Sequence, residues 1–424
     1  MLPRGGVGAL LRAVPRLMLL TLVTLLLHAA AAAAATPGDP RVADAWALQG
    51  DRPMGVASAW DRVTGGDTVV AVLDTGVDLG HPDLRDNLWT NRDEVPGNGR
   101  DDDGNGFVDD VHGADVISED GDPRDDNGHG THVAGIIGAR GGNGIGTAGV
   151  SWRVRIMAVK VLDSRAGGDT AGVARGIDYA IAEGAKVINL SLAGPSRSSL
   201  LDDAIDRARG AGILVVVAAG NQGSDLALAP AWPAASPAEN VLAVAAGDEG
   251  GALSPVSNFG AGVDLVAPGD SILSTAMGGG YEWRTGTSMA APMVTGAAAL
   301  LASAAPAAGW RSLASALASG ARRRSLPIGG GALDVASSLR QLVPTPATPE
   351  AATTRTPTST PQPSGADARR ALIAAQRRAA RTADQRARRA ARRERTRARA
   401  RARLRSSKSR SKARSARSQR VRAA

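Results

Sequence analysis

The sequence contains no cysteine and few aromatic residues. None of its 424 residues is Cys, and Phe, Trp and Tyr together make up 3%. The absence of cysteine excludes a thiol nucleophile, a cysteine-ligated zinc site and a disulfide framework. Because aromatic side chains are scarce, the hydrophobic core must be built from Val, Ile, Leu and Ala. A chain of this length is long enough for one large domain with appended segments.

Long apolar runs are scarce as well, and the clearest one lies at the N-terminus. Arg4, Arg12 and Arg16 precede an apolar run over residues 17–27, and an alanine stretch with several A-x-A cleavage sites follows it. This order predicts a secretory signal peptide over residues 1–35, and therefore a secreted protein. An uncleaved membrane anchor is the alternative, because the run together with the alanines approaches the length that spans a bilayer. We expect no other segment to be apolar enough to span a bilayer.

Charge divides the chain into an acidic body and a basic tail. The net charge is +9, but residues 365–424 carry 23 Lys and Arg against three acidic residues, or +20, which leaves −11 on the remainder. This Arg/Ala-rich tail cannot bury a core, so we expect it to be disordered or, from the propensity of alanine, helical. Residues 342–364 are rich in Pro and Thr, which is typical of an extended linker. The globular pattern therefore covers residues 36–341.

The basic tail suggests a role in binding. Its charge would attract anionic cell-wall polymer, a membrane surface or nucleic acid through nonspecific, salt-sensitive contacts. It has no aromatic residues for base stacking, which argues against sequence-selective recognition of nucleic acid. Association with the cell envelope through this tail and a disordered tail without a dedicated partner both stay open.

Short β-rich apolar runs alternate with helical patterns in the body. The predicted strands cover residues 68–73, 157–162, 186–192, 213–217, 241–245 and 263–267. The predicted helices cover residues 56–62, 130–138, 172–183, 200–211 and 288–302. The alternation predicts an α/β fold with a parallel β-sheet covered by helices on both faces. The active site of such a fold lies beyond the carboxyl ends of the strands.

Three glycine-rich segments place an acid, an imidazole and a hydroxyl at the ends of these elements. The segments are VAVLDTG at 70–76, NGHGTHVAG at 127–135 and GTSMAAP at 286–292. A serine hydroxyl is a poor nucleophile until a base takes its proton. We therefore interpret Ser288 as a nucleophile, His129 as its general base and Asp74 as the acid that orients the imidazole. The order Asp, His, Ser is one of the known orders of this triad.

Each of these residues also has an ordinary structural interpretation. A serine at a helix start can be an N-cap, and an aspartate after a strand can form a turn. A zinc site at His129 and His132 is disfavoured, because the metalloprotease spacing and its glutamate are missing. Ser288 begins a predicted helix, where the positive end of the helix dipole helps an oxyanion to form. The three complete segments together favour catalysis.

With all three segments intact, residues 39–341 resemble the subtilase family of subtilisin-like serine proteases. The resemblance implies a subtilisin-like fold and a serine endopeptidase that hydrolyses peptide bonds of polypeptide substrates through an acyl-enzyme. It also implies that the Asn221 amide holds the oxyanion together with the backbone N–H of the serine. We expect a monomer. An inactive relative that serves as a scaffold is the remaining alternative.

The resemblance also assigns a substrate cleft. It implies that a substrate strand pairs with two extended segments beside a pocket wall, and the residues concerned are Gly167, Gly168, Ser191, Leu192, Ala193, Gly194, Ala219 and Gly220. Ala193 departs from the family pattern, in which a glycine usually stands. The additional methyl group should narrow the primary pocket and disfavour the bulkiest aromatic side chains, an effect worth at most about 1–3 kcal/mol.

An acidic loop predicts a structural calcium site. Residues 93–126 contain 13 Asp and Glu against two Arg. Asp101, Asp103 and Asp109 resemble the start of an EF-hand loop, but His112 stands at its twelfth position, so we do not expect an EF-hand. Ca²⁺ would relieve the repulsion, and a solvated acidic loop is the alternative. The family resemblance implies a second calcium site with the residues Asp39, Asp83, Asn143, Ile145 and Thr147.

Overall fold

Strands and helices alternate through the part of the chain that the computed structural model describes, which is residues 36–50 and 54–344. The strands are β1 (Gly65–Asp74), β2 (Gly113–Asp115), β3 (Arg153–Lys160), β4 (Val187–Leu190), β5 (Leu214–Ala218), β6 (Val241–Gly247), β7 (Leu265–Pro268), β8 (Ile272–Ala276), β9 (Gly280–Arg284) and β10 (Gly331–Ala332). The helices are α1 (Val56–Trp60), α2 (His129–Gly138), α3 (Thr170–Ala182), α4 (Ser199–Ala211), α5 (Thr287–Ala304), α6 (Trp310–Gly320) and α7 (Val335–Leu342). The predicted signal peptide, the basic tail and residues 345–364 of the predicted linker lie outside the described residues.

Eight strands form one sheet in the order β10-β7-β6-β5-β4-β1-β3-β2, and all their pairs are parallel. β1 lies near the centre, with Ala71 opposite Met157 of β3 and Ile188 of β4. Strands β8 and β9 form a separate antiparallel pair. The parallel α/β sheet expected from the sequence is confirmed.

Helices cover both faces of this sheet. Since successive side chains of a strand point to opposite faces, each central strand contributes to two cores. The first core contains Ile137 of α2, Leu301 of α5 and Leu313 of α6. The second contains Ile177 of α3 and Ile205 of α4.

Helix α5 is buried along almost its entire length. Of its 18 residues, only Ser288, Ser303 and Ala304 are not buried. Its small side chains allow close packing, and a Cβ at Gly296 would lie 2.7 Å from the Val150 Cβ. Contrary to our expectation, α5 is long and apolar enough to cross a membrane, the one such helix within the described residues. Because 83% of these 18 residues are buried inside the fold, α5 is a core helix.

The sequence patterns did not predict several shorter elements. These are the strands β2, β8, β9 and β10 and the helices α6 and α7. β2 and β10 contain three and two residues, which is too short for any periodicity to be visible. The α7 helix ends at Leu342, one residue after the boundary that we expected for the globular part.

Candidate active site

The carboxyl ends of three neighbouring strands bring candidate residues to one edge of the sheet. β1 ends at Asp74, β4 is followed by Ser191, and β5 is followed by the segment that leads to Asn221. β1 pairs with β4, and β4 pairs with β5, in both cases in parallel. Asp74, Ser191 and Asn221 therefore all lie beyond the carboxyl edge of the sheet.

Helix α2 begins at His129 and lies directly against the end of β1. Its second residue is Gly130, where a Cβ would lie 2.1 Å from the Gly76 carbonyl oxygen and 3.1 Å from the Asp74 Cβ. This close approach allows the His129 Nδ1 to lie 2.7 Å from the fully buried Asp74 Oδ1. A carboxylate at Nδ1 holds the proton on that nitrogen and leaves Nε2 free to accept another.

The imidazole of His129 is poised to act as a base. Its side chain is 20% exposed. Burial alone would lower the pKa of His129, but the charge and the hydrogen bond of Asp74 outweigh it and raise the pKa above its ordinary value. The positive charge of Arg284 opposes this effect.

His132 lies three residues further along α2 in a different environment. It is fully buried, and its Nε2 lies 3.2 Å from the Glu282 carbonyl oxygen, to which it donates. Its Nδ1 has no hydrogen-bond partner among the described residues. Burial lowers the pKa of His132 to about 4, so the ring stays neutral at physiological pH.

Ser288 is the second residue of α5 and exchanges two hydrogen bonds with Ser191. Its Oγ donates to the Ser191 carbonyl at 3.1 Å, and the Ser191 Oγ donates to the Ser288 carbonyl at 2.9 Å. The Ser288 carbonyl needs this partner because Pro292, four residues later, has no N–H to offer. Ser191 and His129 line the same cleft. Because the Ser288 hydroxyl is bonded to Ser191, it lies at the edge of this cleft.

The side chain of Asn221 is oriented by Thr287. The Asn221 Oδ1 accepts hydrogen bonds from the Thr287 N–H at 2.8 Å and from its Oγ1 at 2.9 Å. Its Nδ2 is therefore free to donate elsewhere, and it lies 3.0 Å from where a Cβ at Gly286 would be. Gly286 has φ +148°, so a larger side chain would strain the turn as well as crowd the amide. The Ser288 N–H has no intrahelical partner, as expected in the first turn of a helix.

A cavity of about 250 Å³ lies beside these groups. Five of the predicted substrate-binding residues line it, namely Gly168, Ser191, Leu192, Ala193 and Gly194. Gly167, Ala219 and Gly220 do not line the cavity. Ala219 is buried in the second core, and the Gly220 N–H donates to the Thr287 Oγ1 at 3.0 Å. Four apolar wall residues were not predicted from the sequence, and they come from four separate segments: Leu162, Val173, Leu201 and Trp232.

The acidic loop forms a cluster that differs in one residue from the predicted one. Carboxylate oxygens of Glu94, Asp101 and Asp103 lie within 4.8 Å of one another. Glu94 is buried, and its Oε2 has no hydrogen-bond partner among the described residues. Asp109, which we grouped with Asp101 and Asp103, instead accepts two backbone N–H groups at 3.1 and 2.9 Å. Glu94 thus takes the place in the cluster that the sequence analysis gave to Asp109.

The second predicted set of oxygen ligands is brought together. Asp39 accepts three backbone N–H groups from residues 142–144, at 2.7, 2.9 and 2.8 Å. Asp83 is fully buried and accepts the Asn143 Nδ2 at 2.8 Å and the Thr147 N–H at 3.1 Å. Burial and the charge of Asp39 raise the pKa of Asp83. The Thr147 Oγ1 is buried without a partner in the described part of the chain, and the backbone of Ile145 lies in the same loop, bonded to the Asn143 Oδ1.

Comparisons with known proteins identify the family of the chain. Residues 65–354 match the model of the subtilase family. The chain is 44% identical over 246 residues to the thermophilic serine proteinase of Bacillus sp. (strain AK1), covering 58% of this chain and 55% of the relative. It is 39% identical over 268 residues to thermitase of Thermoactinomyces vulgaris, covering 63% and 86%. It is 38% identical over 303 residues to the extracellular protease of Xanthomonas campestris pv. campestris, covering 64% and 50%.

A solved structure has the same fold. The chain superposes on a structure of proteases from Pseudoalteromonas arctica with a TM-score of 0.61 and 32% sequence identity, covering 73% of this chain and all of the other. The chain spans about half the length of the first and third relatives, whereas it spans most of thermitase. The family model matches more than half of the chain, so the chain belongs to the subtilase family of serine peptidases.

Proposed function

We propose that this subtilase is a secreted serine endopeptidase that hydrolyses peptide bonds with Asp74, His129 and Ser288. The observation that carries the proposal is the 2.7 Å bond between the Asp74 carboxylate and the His129 Nδ1, at a cleft whose edge holds Ser288. An inactive scaffold would have no reason to keep a carboxylate buried at the end of β1, because burial of a charge costs free energy.

The reaction begins when the Ser288 hydroxyl turns from the Ser191 carbonyl toward His129. The His129 Nε2 takes the hydroxyl proton as the Oγ attacks the substrate carbonyl, and Asp74 stabilises the resulting imidazolium. The C–N bond breaks, and His129 gives its proton to the leaving amine. Water then hydrolyses the acyl-enzyme with His129 acting as base again, which restores the serine hydroxyl.

Two donors at the start of α5 stabilise the tetrahedral oxyanion. They are the Asn221 Nδ2, which is held by the Thr287 bonds to its Oδ1, and the Ser288 N–H. Fixed donors of this kind act on charge that appears only in the transition state. Loss of one such donor in a subtilisin lowers turnover by about 10²–10³-fold.

The substrate binds as an extended strand along residues 191–194 and 167–168. The backbone N–H and C=O of Gly194 both bond to Trp232, each at 2.8 Å. Gly194 therefore borders the cleft, and the substrate backbone pairs with the neighbouring residues instead. The apolar lining of the cleft favours apolar substrate side chains. Ala193 adds a methyl group to that lining and narrows the primary pocket.

Calcium stabilises the fold at two sites. Glu94, Asp101 and Asp103 would hold one ion, and the unpartnered buried Glu94 Oε2 supports this because a hard cation would satisfy it. Asp39, Asp83, Asn143, Thr147 and the Ile145 carbonyl would hold the other. The unpartnered Thr147 Oγ1 supports it, although the Asn143 amide must turn to present its oxygen. The ions would supply structural charge neutralisation only.

The N-terminal segment directs secretion, and the basic tail holds the enzyme at anionic surfaces. Both segments lie outside the described residues, so the support is their composition. The tail carries a net charge of +20, and attraction to anionic cell-wall polymer would weaken with salt. Retention of the full chain on cells at low salt, absent for a chain that ends at Gln341, tests this role.

Casein hydrolysis by the secreted protein and by the variant Ser288→Ala tests the catalytic proposal. We expect activity and covalent labelling by a fluorophosphonate probe in the wild type, and neither in the variant. Ser303→Ala is a matched control at the far end of the same helix, where the hydroxyl bonds only within α5 and to Thr68. Hydrolysis that survives Ser288→Ala would refute the assignment.

A further inference from the structure

Behind the proposed triad, one carboxylate joins the strand that carries Asp74 to the helix that carries His129. Asp125 is partly buried and precedes α2 by four residues. Its Oδ1 accepts the Thr75 Oγ1 at 2.8 Å and the backbone N–H groups of Asn127 and Gly128 at 3.0 and 2.9 Å. Its Oδ2 accepts the N–H and the Oγ1 of Thr131 at 2.9 and 2.5 Å. Asp125 thus accepts five hydrogen bonds, all from residues beside the triad.

Asp125 and Thr75 satisfy three of the four free N–H groups at the N-terminus of α2, and the fourth, that of His129, bonds to the Asn127 Oδ1 at 3.2 Å. The first N–H groups of a helix have no intrahelical partner and must be satisfied otherwise. Asp125 accepts those of Gly128 and Thr131 directly, and the Thr75 Oγ1 accepts that of Gly130 at 2.9 Å while it donates to Asp125. A negative charge at this end of the helix also interacts favourably with the helix dipole.

Asp125 is therefore ionised and firmly held. Burial alone would raise its pKa, but the hydrogen bonds from Thr131, Gly128 and Asn127 lower the pKa below its ordinary value. A carboxylate that accepts charge-assisted bonds from several backbone groups has little freedom to move.

We propose that Asp125 is a positioning residue for the peptidase reaction: through Thr75 and the first turn of α2, it sets the separation of Asp74 and His129. This inference rests on the proposed function, because it concerns the geometry of the same triad. Its physical basis is that Thr75 directly follows Asp74 in the chain, whereas the residues flanking His129 are the ones that Asp125 binds. A displacement of about 1 Å in a catalytic group lowers activity by about 10²-fold.

The charges that face His129 define the pH dependence expected from this arrangement. Asp74 on β1 and Asp125 favour the imidazolium, whereas Arg284 on β9 opposes it, and His132 lies one turn further along α2. Removal of the Asp125 charge should therefore make His129 a weaker base. The acid limb of the pH profile then shifts to lower pH.

The test compares Asp125→Asn with Asp122→Asn in the otherwise intact secreted protein. Both variants remove one negative charge from the same loop, but the Asp122 carboxylate is 52% exposed and pairs with the exposed Arg124. We expect Asp125→Asn to lower kcat by about 10–100-fold with KM changed less than about threefold, and to shift the acid limb of kcat/KM to lower pH. Asp122→Asn should leave both unchanged.

A second pair of variants tests the link through Thr75. Thr75→Val removes the hydroxyl that joins Asp125 to Gly130, and it should reproduce the loss of kcat, whereas Thr75→Ser should keep most of the activity. Should Asp125→Asn fold poorly, the pKa of His129 can be measured by NMR in the Ser288→Ala background with Thr75→Val or Thr75→Ser. A loss of stability with unchanged kcat and an unchanged His129 pKa would reduce Asp125 to a structural residue and overturn the proposal.

The two proposals fail in distinguishable ways. A wild-type protein without Ser288-dependent hydrolysis would refute the proposed function. An active wild type in which Asp125→Asn behaves as Asp122→Asn does would refute the positioning role alone.

Discussion

The buried imidazole of His132 should make the stability of the folded domain fall steeply in weak acid. The ring donates from Nε2 to the Glu282 carbonyl, and protonation would bury a positive charge near Arg284, which the carbonyls of Glu282 and Ile272 offset only in part. Its pKa is lowered from 6.5 in an unfolded chain to about 4 in the folded one. Between these values the unfolded state binds the proton and the folded state does not, so stability is retained above pH 6.5 and lost as the pH falls toward 4.

The magnitude follows from the size of this shift. One pKa unit corresponds to about 1.4 kcal/mol, so His132 removes about 2 kcal/mol of unfolding free energy by pH 5 and about 3 kcal/mol by pH 4. Such losses are a large part of the total stability of a typical domain. The replacement His132→Gln keeps an N–H donor of similar reach but cannot titrate.

The assay is urea denaturation at a series of pH values, with Ser288→Ala in both proteins to prevent self-digestion. We expect His132→Gln to be the less stable protein at pH 7 and its deficit to shrink by about 3 kcal/mol at pH 4, because other titrating groups cancel in the difference. NMR titration of the imidazole C2 protons should independently give one histidine with a pKa near 4. A pH-independent deficit, or a His132 ring that titrates near 6.5, would refute the reasoning.

Three further predictions concern activity and the proposed ions. The kcat/KM of the wild type should rise with pH through a pKa above 6.5, because Asp74 raises the pKa of His129 and the neutral ring is the base; an acid limb at or below 6.5 would contradict this. Chelation by EDTA should lower the Tm of the Ser288→Ala protein, and Glu94→Gln should reduce that shift; an unchanged Tm would remove the calcium proposal. Ala193→Gly should raise kcat/KM for substrates with phenylalanine before the scissile bond relative to alanine, by at most about 1–3 kcal/mol in transition-state binding; an unchanged ratio would show that the methyl group does not border the pocket.

Local segments were sufficient to predict the fold class and the residues around the proposed triad. The strand that ends at Asp74 is a run of buried Val, Ala and Leu, and such runs alternate with helices along the chain. Parallel strands separated by helices have few possible arrangements, so the pattern places the strand ends together. Each glycine-rich segment also contains its own proposed catalytic side chain, so the proposal required no long-range information.

Features that depend on distant contacts were not predictable in this way. The cleft wall at Leu162, Val173, Leu201 and Trp232 comes from four segments, and each side chain looks like an ordinary core residue in its own segment. Asp109 was chosen as a ligand from spacing alone, but its carboxylate accepts the backbone N–H groups of residues 98 and 99, a contact that the spacing does not reveal. The usual capping rule does not identify Asp125 as a helix cap, because Asp125 lies three residues before the N-cap position rather than at it.

The burial of α5 ties the chemistry of this protein to the integrity of the whole domain. Ser288 lies in the first turn of α5, which packs against the sheet and the surrounding helices along nearly all its length. Because Ser288, the proposed nucleophile, is itself part of α5, its hydroxyl keeps its position as long as the helix stays packed in the domain. Turnover measured during heating or denaturation should therefore be proportional to the fraction of molecules that remain folded.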